Sequence, residues 1–92
     1  MPNDVFRALD DPTRRQILEM LAEEGELSAG EITARFNISA PSISHHLSIL
    51  RVAGLVCDTR RRQSIVYSLY RPGFRDAAQW ITAMQNGNDA EK

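Results

Sequence analysis

A single cysteine, Cys57, stands in the whole sequence. It excludes an intramolecular disulfide, a multi-cysteine metal cluster and a dithiol redox switch within the chain. No apolar run approaches the 18 or so residues that a membrane-spanning helix needs. The opening Met-Pro-Asn-Asp has neither the charge nor the apolar stretch of a signal peptide, so the expected compartment is the cytoplasm. Lysine is nearly missing too: ten of the eleven cations are arginine, the residue whose planar fork suits phosphate and guanine. Acids are scarce in one place only. Residues 32–75 carry seven arginines against Asp58 alone, a local charge of +6, while the whole chain sums to −1. Such asymmetry is expected when one face meets phosphate and the other does not.

What is present suits one small folded domain. Of the 92 residues 42% are hydrophobic and 25% charged, ordinary proportions for a folded chain. We place the domain at residues 1–85 and a polar tail at 86–92. A chain of this length buries a modest share of its surface, so dimerisation is an expected source of further core.

The stretch at 39–53 organises the rest. Ile43, Leu47 and Leu50 follow the i, i+4, i+7 spacing of a core-facing helical stripe. The opposite face carries Pro41, His45, Ser48 and Val52, flanked by Ser42 and Ser44. It has no Lys or Glu, which a merely solvated face would use for i,i+4 pairing. Short, neutral, hydrogen-bonding side chains suit close approach to base edges in a DNA groove.

Before it, residues 4–9 give a short helical pattern too brief to stand alone. Asp11 and Pro12 cap and open a second helix, which runs with Ile17, Leu18 and Leu21 inward until Gly25. Arg14 and Arg15 near its start are expected to be a solvated pair. Ser28-Ala-Gly-Glu31 matches the capping box of a third helix, with Ile32 and Phe36 inward. Asn37 is expected to close that helix in a left-handed turn, with Ile38 buried behind it. Pro41 pulls Ala40 away from helical geometry and blurs the start of the central helix, which Gly54 stops.

From Leu55 the period changes from 3.6 to 2. Residues 55–60 and 64–69 read as two strands, the second with Ile65, Tyr67 and Leu69 inward and Ser64, Val66 and Ser68 outward. Cys57, alternating with Leu55, is expected to be a small buried hydrophobe. Between the strands lies a tip of consecutive arginines. Pro72 opens a last helix with Phe74, Ala77, Ala78, Ile81 and Met84 on one side and Trp80 beside them. Together with Val5, Phe6 and Leu9, this apolar surface exceeds what one helix face needs. Part of it can be monomer core, and the excess suits a dimer seam through Val5, Phe6, Leu9, Phe74, Ala77, Trp80, Ile81 and Met84. A helix-turn-helix followed by a basic hairpin is a winged helix, so the fold class is mainly α (α+β), a winged helix-turn-helix with a two-stranded β-wing, dimerised through its first and last helices.

Asp11-Pro-Thr-Arg-Arg-Gln-Ile-Leu18, Pro41-Ser-Ile-Ser-His-His-Leu-Ser-Ile-Leu-Arg-Val-Ala-Gly-Leu55 and the hairpin resemble the ArsR (ArsR/SmtB) family of dimeric bacterial repressors. Phe36-Asn-Ile-Ser39 running into Ser42-Ile-Ser-His-His-Leu47 is similar to the SdpR-like autorepressors of that family. The resemblance implies a homodimer that binds a double-stranded inverted-repeat operator and blocks transcription, with release by a sequestering membrane protein. It places the recognition positions at Ser39, Ser42, Ser44, His45 and Ser48 and the wing positions at Arg60, Arg61 and Arg62. Where many members have glycine in an Arg-x-Gly wing segment, this chain has Arg62 before Gln63.

No metal, cofactor, small-molecule substrate or catalytic group is expected. The segment 27–31 lacks the Cys-x-Cys of metal-sensing members, and the last helix offers Asp76 and no histidine. A zinc or arsenic site needs three or four convergent ligands. Adjacent helical histidines diverge by about 100° and do not chelate one ion. His45 points away from the core stripe, toward a base or phosphate. His46 sits at the stripe's edge, where a half-buried, hydrogen-bonded structural role is expected. Two other readings remain open: a winged-helix protein-interaction module without DNA binding, and an effector- or metal-released sensor.

Overall fold

The computed structural model describes residues 3–87. The order is α1 (Asn3–Leu9), α2 (Pro12–Glu24), β1 (Glu26–Ser28), α3 (Ala29–Thr33), α4 (Ala40–Val52), β2 (Val56–Arg61), β3 (Ser64–Leu69), a 3₁₀ turn (Arg71–Phe74) and α5 (Arg75–Asn86). The tail assigned to 86–92 thus begins inside the last helix, and most of it lies outside the described residues.

Local chemistry sets the helix ends. Asp11 accepts from the Arg14 backbone N–H (2.9 Å), and Gly25, at φ 89°, closes α2 with a hydrogen bond to the Leu21 carbonyl. Ser28 and Glu31 form the reciprocal capping box, with the Glu31 N–H on Ser28 Oγ (3.0 Å) and the Ser28 N–H on Glu31 Oε1 (2.8 Å). Gly54, at φ 78°, ends α4: its N–H bonds the Arg51 carbonyl while the Leu55 N–H bonds that of Leu50. This is the Schellman arrangement, which places Leu55 back in the core.

Ile17, Leu21, Ile32, Ile43, Leu47, Leu50 and Leu55 are the largest fully buried side chains, and Val5, Ala8, Leu18, Leu27, Val56 and Ala77 complete the core around them. The stripes of α2 and α4 face each other as their spacing requires. Arg15 is exposed as expected, but Arg14 is part-buried and both bind the end of α1. Arg14 Nε and Nη2 donate to the Ala8 (2.7 Å) and Arg7 (3.1 Å) carbonyls, and Arg15 Nη1 donates to that of Leu9 (2.7 Å). A seven-residue helix ends with orphan carbonyls, and two guanidiniums of α2 fill them. The electronegative end of α1 thereby answers the cations at the start of α2.

The sheet has three antiparallel strands in the order β1-β3-β2, one more than the two-stranded wing expected. β1 pairs Glu26 with Ser68, Leu27 with Tyr67 and Ser28 with Val66. β2 pairs Val56 with Leu69, Cys57 with Ser68, Asp58 with Tyr67, Thr59 with Val66, Arg60 with Ile65 and Arg61 with Ser64. Cross-strand partners share a face. Leu27, Val56, Asp58, Arg60, Ile65, Tyr67 and Leu69 therefore lie on the core side, and Glu26, Cys57, Thr59, Arg61, Ser64, Val66 and Ser68 on the other.

That parity corrects the expectation for Cys57. Cys57 is exposed, not buried, because Val56 and not Cys57 occupies the inward register; Cys57 Sγ meets Ser68 Oγ at 3.3 Å on the outer face. Val66 and Ser68 lie on the outer face as expected and are half-buried there, since β3 is the central strand and is flanked on both edges. Helix α3 ends at Thr33, and Asn37 does not take positive φ; Arg62 is the one non-glycine residue described that does. Without a left-handed closure at Asn37, the turn carries Ile38 outward, 42% exposed instead of buried. Ala40 is helical despite the following Pro41, because the first-turn N–H groups have no helical partners to lose.

Candidate nucleic-acid interface

Helix α4 is held by its buried stripe, Ile43, Leu47 and Leu50. Ser39, Ser42, Ser44, His45 and Ser48 are all exposed on its remaining surface. Two of these serines have local duties. Ser39 Oγ accepts from the Ser42 N–H (3.2 Å) as N-cap, and the two hydroxyls lie 3.0 Å apart. Ser44, His45 and Ser48 make no side-chain hydrogen bond among the described residues, so their donors and acceptors are open to a ligand. Val52 shares their side of the helix and is 69% exposed.

The two histidines take different roles. Their rings are 6.3 Å apart and tilted by 49°. His45 faces solvent, whereas the half-buried His46 has Nδ1 3.1 Å from Arg14 Nη1 and 3.9 Å from Asp11 Oδ2. Asp11 is held below its ordinary carboxylate range chiefly by the Arg14 backbone N–H; burial opposes this, and the charge of Arg14 reinforces it. Among the described residues no three His, Cys, Asp or Glu side chains come together as metal ligands do.

The wing carries Arg60, Arg61 and Arg62, all exposed. Arg62 and Gln63 form its two-residue turn between the paired Arg61 and Ser64. Arg62 adopts φ 57°, so the positive-φ position that glycine would fill at no cost is held by a cation. The three arginines are not equivalent. Arg60 lies on the sheet face of Tyr67, which borders a groove of about 500 Å³ between α3 and α4. Arg61 lies on the opposite face, where Nη1 and Nη2 donate to Glu26 Oε1 (2.8 Å) and Oε2 (3.0 Å). The sequence reading missed Glu26 because nothing local marks a three-residue strand that pairs forty residues away. The Tyr67 phenol is pushed up by burial and then by the nearby Asp58 carboxylate.

The apolar surface assigned to a dimer seam divides in two. Val5 and Ala77 are buried within the monomer, while Phe6, Leu9 and Phe74 are half-buried against the core. Trp80, Ile81 and Met84 are exposed at 40%, 44% and 57%. Phe6 and Trp80 meet edge to face, centroids 5.5 Å apart, so α1 and α5 present one continuous apolar surface.

The profile described as bacterial regulatory protein, arsR family, matches residues 11–57, from the α2 cap through α4 to the start of the wing. The chain belongs to the arsR family. It is 47% identical to the transcriptional repressor SdpR of Bacillus subtilis over 95% of this chain and 96% of that protein. It is 40% identical to the arsenic resistance transcriptional regulator ArsR1 of Pseudomonas putida over 94% of this chain, which spans 64% of that regulator. Among solved structures, an ArsR-like transcriptional regulator from Rhodococcus superposes with a TM-score of 0.86 at 28% identity, covering 97% of this chain and 81% of that one. This arsR-family chain is a winged-helix protein whose relatives regulate transcription. Within its described residues no helix is long and apolar enough to cross a membrane.

Proposed function

We propose that this DNA-binding transcriptional repressor acts as a homodimer on an inverted-repeat operator in the cytoplasm, without enzyme activity. The observation that carries the reading is the outer face of α4: Ser44, His45 and Ser48 are exposed and have no side-chain partner among the described residues, on a helix locked to the core by its other side. Placed in a major groove, those side chains and those of Ser39 and Ser42 reach base edges. Arg60 and Arg62, the wing arginines with no ion pair among the described residues, supply the phosphate contacts that fix register without reading sequence. Trp80, Ile81 and Met84, with Phe6, Leu9 and Phe74 beside them and Val5 and Ala77 beneath, form the seam that pairs two copies. Two recognition helices related by a dyad demand half-sites about 34 Å apart.

Footprinting on the DNA upstream of the protein's own gene tests this. Two protected, symmetry-related half-sites one helical turn apart support the reading. Absence of protection, with the chain bound instead to another protein, favours the interaction-module reading.

A further inference from the structure

We propose that Glu26 tunes the specificity of DNA recognition: by pairing with Arg61 it withholds one wing cation from the phosphate backbone and lowers affinity for DNA of arbitrary sequence. The inference rests on the DNA-binding reading above and deepens it.

The pair is bidentate, both guanidinium nitrogens on both carboxylate oxygens, and it spans the sheet from β2 over β3 to β1. Its side chains are 58% and 47% exposed. An ion pair in water contributes little to stability, so the pair acts on the fold only weakly. Its effect on charge is larger. Arg61 with its carboxylate presents no net charge to a nearby phosphate, whereas Arg60 and Arg62 have no ion pair among the described residues. The wing therefore offers two uncommitted cations, although its sequence shows three.

Phosphate contacts supply affinity blind to sequence, and each one steepens the salt dependence of binding to duplex DNA by about 0.9 in log–log slope. Removing one such contact costs random and operator DNA alike when the same phosphate is met in both. A contact made only on random DNA, where the recognition helix is not seated and the wing is free to shift, lowers discrimination. Holding Arg61 on Glu26 suppresses that second kind. Without the carboxylate, Arg61 at the base of a two-residue turn is free to engage the backbone.

The test measures affinity for a random-sequence duplex and for the protein's own upstream DNA over a series of KCl concentrations. Glu26→Gln is expected to bind random DNA several-fold more tightly at low salt, with a slope steeper by about 0.9, and to gain less on the upstream DNA. In an Arg61→Gln background the same substitution is expected to give no such gain. Asp58→Asn, which removes a wing acid that has no ion pair among the described residues, measures the general effect of losing one negative charge. A Glu26→Gln gain that persists in the Arg61→Gln background, one no larger than that of Asp58→Asn, or a loss of affinity overturns the proposal. If the unsubstituted chain binds neither DNA, the parent reading fails. If it binds and Glu26→Gln changes nothing, this proposal alone fails.

Discussion

Arg14 Nη1 donates to Nδ1 of His46 across 3.1 Å, joining the start of α2 to the middle of α4. Arginine has no acceptor, so Nδ1 is the acceptor in this contact. The same guanidinium closes the end of α1 through the Ala8 and Arg7 carbonyls. One side chain thereby ties the helix carrying Phe6 and Leu9 to the helix carrying His45. Arg14→Ala is expected to lower stability by about 1–3 kcal/mol, the cost of leaving such groups without partners. His46→Asn, which keeps an acceptor near the Nδ1 position, is expected to cost less than His46→Leu. Urea midpoints of the three variants check the order.

Gly73 approaches Gly54 more closely than any side chain permits. A Cβ on Gly73 would lie 1.7 Å from the Gly54 carbonyl oxygen, backbone against backbone. The contact locks the turn after β3 onto the end of α4, aided by the Tyr70 N–H on the Leu55 carbonyl at 2.8 Å. Gly73→Ala is expected to cost about 3 kcal/mol or to displace the turn. Gly30→Ala is the contrast: its nearest neighbour would be Ser28 Oγ at 3.9 Å, and a helical alanine there is expected to add about 0.5–1 kcal/mol. Thermal unfolding of both variants should separate them in opposite directions.

Arg62 sits at φ 57°, a left-handed conformation that costs a non-glycine residue roughly 1 kcal/mol. Arg62→Gly is expected to stabilise the fold by up to about that amount while weakening DNA binding and flattening its salt slope by about 0.9. Stability and affinity measured on one preparation should move in opposite directions.

Asp11 links acid stability to the cap of α2. Its carboxylate is held below the ordinary value of 3.8, so its contribution is present above that pH and is lost as pH falls through the folded value. Asp11→Ala is expected to cost about 1 kcal/mol near neutrality, a typical N-cap loss. The gap from the unsubstituted chain should narrow below pH 3.8. Denaturant titrations at pH 7 and pH 3 check the sign.

Much of this architecture is written in short-range chemistry. Asp11-Pro12, the Ser28–Glu31 box and Gly54 end or open helices by contacts within a few residues, so the chain declares them directly. The buried Ile43, Leu47 and Leu50 and the exposed His45 follow from helical period. What escaped the sequence reading is decided by partners far along the chain. Leu27 becomes a strand residue only because Tyr67 lies beside it, and Arg14 is a strut only because α1 ends against it. Cys57 turns outward because the strand enters its register at Val56, one residue later than Leu55. Arg61 looks equivalent to its neighbours until strand parity sends it to the face of Glu26. The uncharged outer side of α4 was legible, while the allocation of the wing cations required the sheet.

The central claim is that the outer face of α4 reads base sequence. It is tested most directly by the ratio of affinities for the protected upstream DNA and for a random duplex, measured for the unsubstituted chain and for His45→Ala at one salt concentration. The account predicts that His45→Ala loses affinity mainly on the upstream DNA and reduces the ratio by about 5- to 150-fold, the 1–3 kcal/mol of a base-edge contact. An equal loss on both duplexes, or an unchanged ratio, would contradict it.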